Sequence, residues 1–144
     1  MTGNTILGIE SDLSRELLGK VAIVTGAGRM RGIGRATAKV LARMGADIVV
    51  TGTGRNPESF PEDEKSAGWN DIQSTAEEVE SFGVRVLALV SNVADEEDVQ
   101  RMIVETVAKF GRLDVIVNNA AAPYGADRVP VMEMATDSFK KVID

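Results

Sequence analysis

The residue types available for chemistry are few. The chain holds no Cys and no His, which removes disulfides, thiolate nucleophiles, imidazole bases and the usual zinc ligands. Chemistry must rest on Tyr, Lys, Ser or carboxylates, or on a bound cofactor, and the one Tyr is Tyr124. The stretch with the clearest chemical meaning is Thr25-Gly26-Ala27-Gly28-Arg29-Met30-Arg31-Gly32-Ile33-Gly34. Glycines at 26, 28, 32 and 34 let a backbone turn sharply and let a phosphate approach without meeting a Cβ. A helix beginning at the end of this stretch would offer unpaired N–H groups and the positive end of its dipole to an anion.

The flanking residues supply the elements such a loop needs. Val21-Ala22-Ile23-Val24 is an unbroken apolar run of strand length, as in a parallel sheet buried on both faces, within a strand read over 20–25. Ile33, Ala36, Thr37, Val40, Leu41 and Met44 recur at helical spacing, with Gly45 placed to end the helix. Asp47 to Thr51 reads as a second strand, and the polar, proline-containing stretch from Pro57 to about Trp69 as a long surface loop. Ile72, Ala76, Val79 and Phe82 predict the next helix, closed by Gly83, and Val84 to Val90 a third strand. Asp95 caps a helix lined by Val99, Met102, Ile103, Val107 and Phe110, with Asp98 in a capping-box place and Gly111 at its end. Leu113 to Val117 is a fourth strand, and Thr136 starts a last helix. This alternation predicts an α/β fold: a doubly wound parallel sheet of Rossmann type in three αβα layers, joined by right-handed crossovers. Residues 1–19 read as an N-terminal arm, with a short lead-in helix near Leu13 to Leu18, and 20–144 as one domain.

Composition narrows the partners. A length of 144 residues allows one domain with a core, and 44% apolar with 26% charged residues is ordinary for a globular chain. A net charge of -6 argues against a nucleic-acid backbone as partner. No apolar run approaches a membrane span. Met1 to Lys20 lacks the basic start and apolar block of a secretory signal, so the expected compartment is the cytoplasm.

The glycine pattern departs from the general G-x-G-x-x-G fingerprint, because Arg31 stands in the third glycine place, and no Gly-Lys-Ser/Thr of a P-loop follows. It resembles instead the fingerprint of the short-chain dehydrogenase/reductase family: Thr-Gly, three residues, then Gly-x-Gly. Thr25-Gly26 and Gly32-Ile33-Gly34 match, with five residues between them. Either the loop is two residues longer, or Gly28 takes the first glycine place; the longer loop is preferred because Val-Thr-Gly ends the strand in the family's way. Further resemblances are Gly45-Ala46, Asn92-Val93-Ala94-Asp95 with Asn for the family's first Asp, and Gly111 to Ala121. The last contains Asn118-Asn119-Ala120-Ala121, similar to the family's Asn-Asn-Ala-Gly.

The resemblance implies the N-terminal half of a Rossmann sheet of strand order 3-2-1-4. It implies that the loop with Thr25, Gly26, Gly28, Gly32, Ile33 and Gly34 holds a pyrophosphate. Asn92 and Val93 would flank the adenine, and Asn118 and Ala120 would lie against the adenosine ribose. An NAD site usually has an acid at the end of the second strand for the ribose 2′-OH, and here Gly52 holds that place. Arg31, next to Gly32, and Arg55, near the strand end, are placed to meet a 2′-phosphate, so NADP(H) is favoured over NAD(H).

The family's proton-transfer residues are a Ser and a Tyr-x-x-x-Lys pair, supported by an Asn. They would lie beyond Asp144, so the chain is expected to carry the cofactor half, to stop before the catalytic segment and to be inactive alone. Tyr124 and Arg128 copy the Tyr spacing on the wrong segment, and Ser138 comes too early. The implied function of the intact protein is an NAD(P)(H)-dependent oxidoreductase moving hydride between nicotinamide and a small carbonyl or secondary alcohol, and homo-oligomeric as its relatives are. The alternatives are a non-catalytic module that senses NADP(H), and a methyltransferase, which would expect an acid where Gly52 stands.

Overall fold

A computed structural model describes residues 15–122 and 129–143. Four parallel strands form one sheet in the order β3-β2-β1-β4, with β1 at Val21–Val24, β2 at Asp47–Gly52, β3 at Val86–Val90 and β4 at Val115–Val117. β1 is central and fully buried, as its unbroken apolar run requires. β4 pairs with β1 alone among the described residues, and β3 closes the other side.

Helices cover both faces. Helix α1 (Ile33–Arg43) and helix α3 (Asp71–Glu80) sit on one, where Ala38, Ala42, Ile72 and Val79 pack with Ala22, Val24, Ile48 and Val50. Helix α4 (Glu96–Phe110) covers the other, where Met102 and Phe110 pack with Val21, Ile23 and Val49. Alternate residues of each strand therefore feed opposite layers, which is the expected three-layer αβα arrangement of order 3-2-1-4.

Several local expectations hold. Gly45 follows α1 at φ 95, and Gly83 and Gly111 both lie at φ 80, conformations in which a Cβ is strained. Asp95 accepts from the N–H groups of Glu97 and Asp98 at 2.9 and 3.2 Å, capping α4. The last helix, α5, runs Thr136–Ile143. Of the N-terminal arm, residues 1–14 lie outside the described residues, and 16–19 form a turn.

Two expectations are corrected. The buried stripe of α1 is Gly34, Ala38 and Ala42, whereas Ile33 and Val40 are exposed. Small residues let this helix lie close to the sheet, so the bulkier apolar side chains flank the contact. The stretch from Pro57 to Trp69 is also more than a surface loop. It folds into a 3-10 turn at Pro57–Ser59 and helix α2 at Glu62–Ser66, and it buries Phe60 and Glu64. Its polar residues look outward in sequence because their partners lie far away, on the glycine loop.

Candidate functional site

The glycine loop leaves the carboxyl end of β1 at Thr25, which is buried. The Thr25 Oγ1 hydroxyl donates to the Val117 carbonyl at 3.3 Å and accepts from the N–H groups of Asn119 and Ala120 at 3.1 and 3.0 Å. Asn119 reciprocates through its side-chain amide, donating to the carbonyls of Thr25 and Gly26 at 2.8 and 3.1 Å. The start of the loop is thus fixed to the end of β4. At Gly26, φ is 66 and a Cβ would stand 2.7 Å from the Ala120 Cα. At Gly34 a Cβ would stand 2.5 Å from the Asn119 amide nitrogen and 2.9 Å from the Gly26 carbonyl oxygen. Both glycines are required by close approach.

Gly32 is the N-cap of α1, extended at φ -85 and ψ 151, and no side chain caps the helix. The first-turn N–H groups, which follow a loop without Cβ atoms at 32 and 34, form a cradle whose donors fit a phosphate or pyrophosphate. Ile33, 78% exposed, stands at the mouth of this cradle.

The middle of the loop is held from outside. The Thr75 hydroxyl donates to the Ala27 carbonyl at 2.7 Å. The Trp69 indole N–H and one Arg55 N–H both donate to the Gly28 carbonyl, at 2.7 and 3.0 Å. Glu64 accepts from the Met30 N–H at 2.9 Å, and Arg35 donates to the Met30 carbonyl at 2.7 Å. Arg35 is itself paired with Glu78 at 2.6 Å. That hydrogen bond holds the Glu78 carboxyl below its ordinary value, against the opposing effect of burial.

Arg55 is engaged within the chain. A residue expected to meet a 2′-phosphate should present its donors to the ligand. Here the guanidinium is partly buried and pairs with Glu64 at 2.9 Å and with Asp71 at 2.8 Å, and it lies over the Phe60 ring at 4.5 Å. Burial alone would lower its pKa, but its hydrogen bonds to Glu64 and Asp71 prevail and raise it. Arg31 is different: its side chain is largely exposed and pairs with Asp63 at 2.9 Å on the surface.

The other expected residues lie along the carboxyl ends of the strands. Asn92 and Val93 follow β3. The Asn92 N–H donates to Asp98 at 2.8 Å and its side-chain oxygen accepts from the Ala94 N–H at 3.2 Å, and Val93 is exposed. Asn118 is exposed after β4, and the strand-tying role belongs to its neighbour Asn119. Thr25, Gly26, Gly34 and Ala120 are brought into one junction, Gly32 and Ile33 open the cradle beside it, and Gly28 faces the carboxylate of Asp71. Tyr124 and Arg128 lie outside the described residues. No group of three or more His, Cys, Asp or Glu that could hold a metal occurs among the described residues.

Sequence reasoning missed Glu64, Trp69, Asp71 and Thr75. Their spacing carries no motif, and only the packing of α2 and α3 on the loop reveals them. For Asn119 the signal was the Asn-Asn doublet itself.

Comparison with known proteins agrees with this geometry. A family model described as short chain dehydrogenase matches residues 20–144. The short chain dehydrogenase/reductase astE of Aspergillus oryzae is 41% identical over 144 residues, covering 99% of this chain and 46% of that protein. Among solved structures, a short chain dehydrogenase from Mycobacterium paratuberculosis bound to NAD is 33% identical with a TM-score of 0.70, covering 89% of this chain and 45% of the other. Carveol dehydrogenase from Mycobacterium avium in complex with NAD is 28% identical with a TM-score of 0.72, covering 89% and 44%. The chain spans less than half the length of each of these relatives.

Proposed function

The chain belongs to the short-chain dehydrogenase family, and on that premise we propose that it is the cofactor-binding part of an NAD(P)(H)-dependent oxidoreductase acting on a small carbonyl or secondary alcohol. The observation that carries this reading is the junction of Thr25, Gly26, Gly34, Asn119 and Ala120, which sets the uncapped start of α1 at the carboxyl ends of β1 and β4. In doubly wound sheets this crevice, where the chain order reverses, is where dinucleotides bind.

In this reading the N–H groups of Ile33 and Gly34 hold the pyrophosphate, with Gly32 and Gly34 admitting it. Asn92 and Val93 border the adenine beyond β3, and Asn118 and Ala120 face the ribose from β4. Thr25 and Asn119 do not touch the cofactor; they hold the loop against β4. When bound, the nicotinamide supplies the site that gives or accepts hydride. Proton transfer is assigned to no residue of this chain, and we propose that the 144 residues alone bind dinucleotide without turning over substrate.

On the choice of dinucleotide, the sequence favoured NADP(H) through Arg31, Arg55 and the glycine at 52. The Arg55 guanidinium is engaged by Glu64, Asp71 and the Gly28 carbonyl, and the two mycobacterial relatives are NAD complexes. We therefore propose NAD(H). No helix among the described residues is long and apolar enough to cross a membrane. A cytoplasmic, homo-oligomeric enzyme without nucleic-acid partners is the proposal consistent with the family and with the charge of -6.

The test is NADH titration of the chain, read by calorimetry and by fluorescence of Trp69, its only tryptophan, whose indole bonds the loop. Saturable one-site binding, abolished by Gly32→Asp, is expected. Absence of binding by both NADH and NADPH would refute the function.

A further inference from the structure

The place at the end of β2 where an acid would bind the ribose 2′-OH holds Gly52, yet a carboxylate stands beside it. Asp71, the first residue of α3, projects its side chain between the glycine loop and the strand end. A Cβ on Gly28 would fall 2.0 Å from Asp71 Oδ1, and a Cβ on Gly52 would lie 3.8 Å from Asp71 Oδ2. The carboxylate fills the space that Gly28 leaves open, with Oδ2 at 3.3 Å from that Cβ position, and Oδ2 also borders Gly52, where Ile72 Cγ2 stands nearer at 2.8 Å.

The two oxygens are also loaded differently. Oδ1 accepts from Arg55 Nε and Nη2 at 3.0 and 2.8 Å. Oδ2 accepts one long bond, 3.3 Å, from the Arg55 backbone N–H, so the oxygen facing the strand end keeps acceptor capacity. Asp71 has φ 50, the only described non-glycine residue with positive φ. Arg55 is shared with Glu64, so two carboxylates meet one guanidinium and the cluster carries net charge -1.

We propose that Asp71 is the residue that recognises the adenosine ribose 2′-OH, in place of a strand-end acid, and that the Asp71–Arg55–Glu64 cluster excludes a 2′-phosphate. The inference rests on the dinucleotide reading above and assigns its specificity. A hydroxyl donates to Oδ2 as a charge-assisted bond. A phosphate monoester would bring negative charge against a cluster already negative, with four of the Arg55 N–H donors engaged by Asp71, Glu64 and the Gly28 carbonyl. The acid thus reaches the site from α3, after the folded segment 53–70, and not from the strand end, which is glycine.

The experiment is titration of the full chain with NADH, NADPH and the 2′-deoxyadenosine analogue of NADH. The parent is expected to bind NADH at least tenfold more tightly than either NADPH or the 2′-deoxy analogue. Asp71→Asn is expected to bring NADH and the 2′-deoxy analogue within about threefold of each other and to improve NADPH relative to NADH. Glu64→Gln, which keeps the Asp71 carboxylate, is expected to preserve the preference for NADH over its 2′-deoxy analogue. Parent affinity for NADPH equal to or above that for NADH overturns the proposal, as does equal binding of NADH and its 2′-deoxy analogue; neither comparison needs a variant that folds. Loss of both NADH and NADPH binding overturns the dinucleotide reading itself, a separable result.

Discussion

Replacing Thr25 by Val tests whether the glycine loop is held where the structure places it. Valine keeps the branched shape and the strand preference of threonine. It removes one hydroxyl that donates to Val117 and accepts from Asn119 and Ala120. The Ala120 N–H then loses its acceptor in a part-buried junction, while the Asn119 N–H keeps its 3.0 Å bond to the Val117 carbonyl. An unsatisfied buried donor costs about 1–3 kcal/mol, and partial access to water places this one at the low end, about 1 kcal/mol. The direct donation to Val117, at 3.3 Å, adds little. With a urea dependence of about 1–3 kcal/mol/M for a chain of this size, the midpoint should fall by roughly 0.5 M with unchanged slope. NADH affinity should fall as well, because the loop loses its tie to β4. Thr25→Ser keeps the hydroxyl and should retain parental affinity. A valine variant within about 0.5 kcal/mol of the parent, with parental affinity, would refute the account of the junction.

Two further outcomes follow from the same geometry. Gly34→Ala places a methyl 2.5 Å from the Asn119 amide nitrogen and 2.9 Å from the Gly26 carbonyl oxygen. Calorimetric melting should show a loss of about 1–3 kcal/mol from overpacking, with loss of NADH binding, although alanine is the better helix former. For pH dependence, hydrogen bonds from Arg112 and from the Val21 N–H lower the Asp114 carboxyl from its ordinary 3.8 to about 2, and the Arg35 bond lowers Glu78 from 4.5. Both folded values lie below the unfolded ones, so the stabilisation is complete above about pH 5 and is lost as pH falls from there toward 2. Urea midpoints across that range should fall with acid, and Asp114→Asn should flatten the part of the decline below pH 4.

The backbone order was legible because each element carries its own local signal. The run Val21 to Val24 can only be a strand buried on both faces, Asp95 ahead of three acids can only start a helix, and glycines at 45, 83 and 111 mark helix ends that need positive φ. Side-chain placement was less legible where packing decided it. In α1 the residues facing the sheet are the small ones, Gly34, Ala38 and Ala42, and a pattern of large apolar residues points to the wrong stripe. The acids from Glu58 to Glu64 looked like a solvated run, because an acid that pairs 34 residues away with a backbone N–H has no sequence periodicity. The partners of Arg55 were hidden for the same reason. Its position near the strand end was correctly seen, and its two carboxylate partners, 9 and 16 residues downstream, were not.

The two ways of aligning the glycine loop make different demands on Gly28. If Gly28 took the first glycine place, its missing Cβ should face the end of β4. It faces Asp71 instead, and the Cβ-free contact with β4 is made by Gly26 against Ala120. Gly26 and Gly34 make the Cβ-free contacts at the junction with β4, and the stretch between them is held by the segment 53–70. That stretch adds polar backbone without offering a wider phosphate cradle. The Ala27 N–H donates to Thr51 at 2.8 Å and the Gly32 N–H to Arg29 at 3.0 Å, while the Met30 N–H is held by Glu64. The segment that supplies Glu64 also supplies Trp69 to the Gly28 carbonyl. The glycine loop and the segment after β2 satisfy each other's polar groups, so shortening either alone would leave the other with unpaired donors or acceptors.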